Sequence, residues 1–351
     1  MITKTLHFVT TDDNERIAVW KVIDIDVPVI DTPTTETPTH ATQNIFLTHG
    51  TFSDKQTCLK IAEHLAMLGH HCYIMEWRGH GDSSLPKDKF NFETVATYDY
   101  KATFQYFFDE LQFDNLHCIT HSGGGVGLTM FLVQNPDYID RVNSISMFAC
   151  QAYGAVLSPK SYVKIVSAKL LTRLLGYIPA RRLKMGPYNE SYHTMTQWYD
   201  WNLGKNFHSS FLRRVLSEQR TVDRSHNSDH SQSPNSAQNP NGNQSSATNK
   251  NENKHENKKQ PDHKPFDYRS HMPKITTPIY AISARGDTFV SPTGGCRLFF
   301  EGFDNPANVF REYALEHGDL DDYTHSRIMI SRNAATEIWP TVTAWIEQHA
   351  G

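Results

Sequence analysis

The sequence predicts an α/β protein with a mostly parallel central sheet and helices on both of its faces. Three observations predict it. Short, nearly continuous apolar runs such as "IFLTHG" and "LHCIT" have the length and composition of strands buried on both faces. Between them lie longer runs with apolar residues three and four apart, the spacing of helices. The two kinds alternate over most of the chain, which calls for crossover connections and hence parallel neighbours.

In chain order, "TLHFVTTDDNERIAVWKVID" is two β runs around a polar turn, a hairpin. A polar connection, "DTPTTETPTHATQN", leads to the strand "IFLTHG", the helix "DKQTCLKIAEHLAMLG" and the strand "HCYIMEW". After the loop "RGHGDSSLP" come the helical "FETVATYDYKATFQYFFDEL" and the strand "LHCIT". The helix "GVGLTMFLVQNP" closes on Pro136, a residue suited to a helix end, and "RVNSISMFA" is again a strand. Toward the C-terminus follow strand "TPIYAISA", helix "GGCRLFFEGF", strand "NVFREYALE" and helix "NAATEIWPTVTAWIEQH".

The chain has 351 residues, 38% of them hydrophobic, enough for one large core or two modest ones. A formal net charge of -4 gives no electrostatic footprint for nucleic acid, and none is expected as a partner. The five cysteines, Cys58, Cys72, Cys118, Cys150 and Cys296, have no metal-knuckle spacing and sit mostly in apolar contexts, as reduced buried thiols do. No apolar run reaches signal-peptide or membrane-span length, so a cytoplasmic protein is expected. From Asp223 to Lys264 there is no large apolar residue or cysteine. Such a segment cannot bury enough surface to offset its ordering entropy, and it reads as a disordered insertion.

The segment "CITHSGGGVG" carries the chemistry. A strand breaks onto Ser122 and then onto Gly123, Gly124 and Gly125. A phosphate loop of Walker type needs Lys-Ser or Lys-Thr after its glycines, and Val126-Gly127 stand there instead. A dinucleotide loop needs an acidic residue closing the next strand, whereas Asp137 and Asp140 fall at a helix end. The remaining reading is a nucleophile elbow, Gly-x-Ser-x-Gly, with Thr120 in place of its first glycine. A serine hydroxyl needs a base, an orienter for that base, and backbone donors for the oxyanion. Asp287, just past a late strand, is the candidate orienter. The amides of Gly123 and Thr51 are the candidate oxyanion donors, and His49 is expected to shape the Thr51 loop. Two histidines compete for the base. His317 follows the last strand closely. His325 lies eight residues later and leads into the final helix.

"FLTHG", "EWRGHGDSS", "ITHSGG" and "ISARGDTFVSP" fall in the order and spacing of the α/β-hydrolase superfamily. The resemblance covers Ile45 to about Cys150 and Pro273 to the C-terminus, and the C-terminal "DYTHSRIMISRNAATEIWP" resembles the lipase-type branch. It implies a cofactor-free, metal-free serine hydrolase of carboxylic esters with Ser122, His325 and Asp287 as its triad. His325 is favoured over His317 as the base. It also implies a hydrolase core in residues 1–150 and 273–351, with a helical cap at 151–272 that includes the disordered 223–264. The same triad serves acyltransferases, thioesterases and peptidases, and a non-catalytic binding protein on the same fold is the alternative of another class. Within the cap, Val163, Val166, Leu170, Leu174 and Ile178 fall on one helical face. That face is expected to pack over the core or a pocket, with peripheral membrane contact as the alternative. The aromatic "GPYNESYHTMTQWYDWNLGKNF" is a candidate lining for a medium or long acyl chain of a small-molecule or lipid ester.

Overall fold

A computed structural model describes residues 1–29, 41–210 and 265–350 of the chain. Contacts set Ser209–Phe266 apart from the unit formed by Met1–His208 and Asp267–Gly351, and the account below concerns that larger unit. The insertion at 223–264 lies outside the described residues.

The N-terminal hairpin pairs β1 (Ile2–Thr10) with β2 (Arg16–Asp24). Its turn is closed by Thr11, whose hydroxyl accepts from the Glu15 amide at 2.9 Å, and by Asn14 in the left-handed region. Then follow β3 (Asn44–Thr48), α1 (Gln56–Met67), β4 (His71–Met75) and the helical segment α2 (92–110), which mixes α and π turns. After these come β5 (His117–His121), α3 (Gly123–Gln134) and β6 (Ser144–Phe148). An inserted region holds α4 (Pro159–Leu175), the short pair β7 (Tyr177–Ile178) and β8 (Glu190–Ser191), α5 (Ala180–Leu183) between them, and α6 (Tyr192–Gly204). The core resumes with β9 (Ile279–Ala284), α7 (Thr293–Phe300), β10 (Val309–Tyr313), α8 (Arg327–Ile330), α9 (Arg332–Glu337) and α10 (Trp339–Gln348).

The eight-stranded sheet runs β1-β2-β4-β3-β5-β6-β9-β10. The β1–β2 and β2–β4 pairs are antiparallel, and every other pair is parallel. Every residue of β5, β6 and β9 is buried, as strands covered on both faces must be. Side chains alternate across the strands and feed two cores. On one face Ile45, Leu47 and Ile119 belong to a cluster with Ile61 and Leu65 of α1 and Val342 and Ile346 of α10. On the other, Phe46 meets Phe104 of α2 at 5.3 Å, and Phe104 meets Phe131 of α3 at 4.6 Å between ring centroids. Each such aromatic contributes roughly 1.5–3 kcal/mol by leaving water.

The inserted helix α4 corrects one expectation. It starts at a capping box between Ser158 and Ser161 and stops at Gly176, whose φ of 79° only glycine adopts without strain. Its buried residues are Ile165 and Thr172, and Thr172 Oγ1 lies 2.9 Å from the Tyr199 hydroxyl of α6. Val163, Val166, Leu170 and Leu174, expected to pack inward, are exposed. Ile178 is buried, but it belongs to β7 and not to the helix. The Thr172 side of the helix is thus the one that meets α6, and the apolar stripe lies on the other side.

Candidate active site

Parallel sheets gather ligands at the carboxyl ends of their strands, where the loops converge. Here the ends of β3, β5 and β9 bring together Thr51, Ser122 and Asp287. Ser122 follows β5 directly and has φ 54° and ψ -124°, a conformation that a non-glycine residue holds only when its surroundings impose it. They do so on three sides. The Ser122 amide donates to Phe148 O at 2.8 Å. A β-carbon on Gly124 would fall 2.7 Å from His49 O. One on Gly50 would fall 2.7 Å from Ser122 Cβ and 2.8 Å from the Gly123 nitrogen. The β3 and β5 loops therefore touch backbone to backbone, and glycine at 50 and 124 is a steric requirement.

His325 stands against the serine, with its Nε2 2.8 Å from Ser122 Oγ and its Nδ1 2.6 Å from Asp287 Oδ2. Asp287 also accepts from the amides of Val290 at 3.0 Å and Ser291 at 2.9 Å. Burial alone would raise its pKa, but the hydrogen bond and charge of His325, with the amides of Phe289 and Ser291, lower it below the usual aspartate value, so the carboxylate stays charged. A charged Asp287 accepts the Nδ1–H and leaves Nε2 with a lone pair toward Ser122, the tautomer of a general base. His317 lies elsewhere, in an exposed turn after β10 and 3.8 Å from Glu316. It does not reach this constellation.

Gly123 is the first residue of α3, where an amide has no acceptor within the helix. A β-carbon built on Gly123 lies 3.6 Å from the Thr51 nitrogen, so the two expected donors border the same space. Phe92 and Trp77 wall it, at 2.8 and 3.0 Å from that position. His49 shapes this loop: its Nδ1 is 2.7 Å from Gly50 O, and its Nε2 accepts from the Trp77 amide at 3.3 Å. Burial holds its pKa well below the ordinary histidine value, which suits a neutral ring donating on one side and accepting on the other.

Three further residues were not singled out as site residues, although His80 lies within "EWRGHGDSS" and His121 within "ITHSGG". Glu190, in β8, accepts from the Phe52 amide at 3.1 Å and from His80 Nε2 at 2.8 Å. The other nitrogen of His80 faces Arg78 O at 3.1 Å. Both of its ring nitrogens thus face acceptors, and only an imidazolium donates to both. Burial works against that charge, and the Glu190 carboxylate outweighs it, raising the His80 pKa. His121 places Nε2 2.8 Å from the His325 carbonyl. Burial first, then His325, lower its pKa to about 3. It remains neutral and holds the backbone of the histidine that faces Ser122.

Ser122 opens on a narrow apolar cavity of about 40 Å³, lined among others by Phe92, Ile178, Met185, Met195 and Trp198. Beside it, a second cavity of about 160 Å³ is bordered by Thr51, His121, Lys184, Met185 and His325. A single water needs roughly 10–15 Å³, so the first cavity holds a short acyl group and not an octanoyl chain unless its methionines swing aside. The aromatic segment named above supplies Met195, Trp198 and Tyr199 to the wall of this narrow cavity. Among the described residues, Glu312, Glu316 and His317 could hold a metal ion. They are surface groups outside the Ser122 constellation.

Residues 44–169 match the family model described as the alpha/beta hydrolase fold. Solved structures agree on the fold. An esterase from Exiguobacterium antarcticum is 11% identical with a TM-score of 0.57, over 98% of this chain and 100% of that one. A Pyrococcus furiosus esterase is 12% identical with a TM-score of 0.55, over 100% and 92%. A thermophilic esterase from Thermogutta terrifontis is 12% identical with a TM-score of 0.52, over 99% and 100%. At such identities the likeness concerns the fold alone. No curated protein matches the sequence.

Proposed function

We propose that the chain is a serine hydrolase that cleaves carboxylic esters through an acyl-enzyme. The observation that carries this reading is the relay from Ser122 Oγ through His325 to Asp287, at 2.8 and 2.6 Å. Ser122 Oγ attacks the ester carbon while its proton passes to His325 Nε2. The carbonyl π electrons move onto oxygen, and the amides of Gly123 and Thr51 donate to that oxyanion. Collapse breaks the bond to the alcohol, which leaves with the proton from His325. Water then repeats the sequence on the acyl-enzyme, releasing the acid and restoring Ser122. Asp287 keeps His325 oriented and offsets the charge it gains.

The apolar walls around Ser122 favour an acyl group over a charged substituent, and the cavity favours short chains. The five cysteines are free and buried, which supports a reducing, cytoplasmic setting. A panel of p-nitrophenyl esters from acetate to octanoate tests the reading, together with fluorophosphonate labelling. Turnover and labelling that both vanish in Ser122→Ala are expected. Labelling that persists in that variant, or no turnover of any ester, rejects it.

A further inference from the structure

The outward face of α4 is the opposite of a solvated helix surface. Val163 is 62% exposed, Leu170 57% and Leu174 76%, and Val166 lies between them. At about 100° per residue these four form one stripe, directly opposite the buried Ile165 and Thr172. Lys160 and Lys164 fall on one shoulder of the stripe, and Lys169 and Arg173 on the other. Monomeric surfaces rarely leave a contiguous apolar area of this kind to water. Leu171, Leu175, Tyr177, Leu183 and Met185 of the same segment are exposed as well.

Charge is arranged with equal bias. Between Asp140 and Glu190 there is no acidic residue, while Lys160, Lys164, Lys169, Arg173, Arg181, Arg182 and Lys184 all fall there, in a chain whose net charge is -4. Among the described residues, Lys169 of this set pairs with Asp200 of α6. An apolar stripe with cations on both shoulders suits a surface that is apolar within and anionic at its rim, which is a leaflet containing acidic phospholipid. An acidic protein would engage the cations but leave the leucines without a counterpart.

We propose that α4 and the 181–185 segment form a docking surface for an anionic lipid bilayer. Position adds to the argument. Met185 borders both cavities at Ser122, and Lys184 borders the one that holds His325, so the patch runs into the walls of the site. The docking itself does not depend on the esterase reading, because it is measured without turnover.

The test is flotation of the full chain with vesicles of phosphatidylcholine alone and of phosphatidylcholine mixed with phosphatidylglycerol, at low and at high salt. The expected result is binding to the mixed vesicles that weakens with salt. Lys160→Glu, Lys164→Glu and Arg173→Glu together should weaken it by more than about a hundredfold, since each cation contributes roughly fivefold. Val163→Ser, Leu170→Ser and Leu174→Ser together should abolish what remains at high salt. These side chains face solvent, and circular dichroism checks that each variant is folded. Absence of binding to mixed vesicles overturns the proposal. So does equal binding by either triple variant. A salt-sensitive complex with a poly-glutamate peptide in the absence of vesicle binding overturns it in favour of a protein interface.

Discussion

The carboxylate of Glu190 and the imidazole of His80 meet at 2.8 Å, both fully enclosed, and the same carboxylate oxygen accepts the Phe52 amide at 3.1 Å. One inserted strand thus clamps the loop that carries Thr51 beside Ser122. Phe52 itself has φ 67°, a left-handed conformation that is strained for a bulky residue and that the clamp helps to hold. Glu190→Ala leaves a buried His80 without its partner and should cost about 3 kcal/mol of stability by denaturant unfolding. It should also lower kcat for short esters by more than it changes KM, because the Thr51 donor matters most in the transition state. Glu190→Gln, which keeps an acceptor for the Phe52 amide, should recover much of kcat. Equal losses in both variants would place the effect in charge and not in the loop.

The same pair predicts a pH dependence with a definite sign. His80 binds its proton more tightly in the fold than in the unfolded chain. Its contribution to stability is complete below the ordinary histidine pKa and is lost as pH rises through the higher native value. His121 works in the opposite direction, being neutral in the fold with a pKa of about 3. The difference in unfolding free energy between wild type and Glu190→Gln, followed with pH, isolates His80. That difference should shrink from acid toward alkaline pH, and a difference that grows would contradict the charged pair.

Ser122→Ala and His325→Ala should fall to the same background, roughly four to six orders of magnitude below wild type in kcat/KM, because nucleophile and base act as one unit. His317→Ala should retain nearly all turnover, since its ring stands in an exposed turn away from Ser122. Steady-state kinetics on p-nitrophenyl acetate decides it, and the reverse ranking would reassign the base.

Gly50→Ala would push a β-carbon to within 2.7 Å of Ser122 Cβ and 2.8 Å of the Gly123 nitrogen. The two loops must part, and with them the amides of Gly123 and Thr51, the proposed oxyanion donors. A loss of roughly 10²–10³ in kcat, the effect of removing one such donor, is expected in a protein that still folds. Wild-type kcat in this variant would show that these amides do not serve the oxyanion.

Met185→Ala should widen the narrow cavity at Ser122. The ratio of kcat/KM for octanoate over acetate should rise by about tenfold or more, as each newly buried methylene contributes roughly 0.8 kcal/mol. An unchanged ratio across the ester series would mean that the chain leaves by another route.

Local pattern carried most of what could be read in advance. The alternation of apolar runs with helical spacing led to the order of strands and helices, because strands buried on both faces must be apolar throughout. The abrupt passage from "LHCIT" to serine and glycines revealed the elbow, since few other structures need that combination. Asp287 stood out by following a strand. The choice between His325 and His317 was open from the residues alone, because both lie after β10 and either loop could return. It took the folded path of 318–326 to carry one ring to Ser122 and leave the other in solvent.

What the sequence by itself determined was the α/β layering, the strained serine turn and the residue types able to do the chemistry, all properties of short stretches and their periodicity. Tertiary structure alone decided the rest. Periodicity shows that a helix has an apolar stripe but not which neighbour it meets, and α4 meets α6 through its Thr172 side and leaves that stripe outward. Glu190 reaches His80 across 110 residues. A contact between positions so far apart leaves no trace in either local segment, so only the folded chain could bring that carboxylate to the loop beside Ser122.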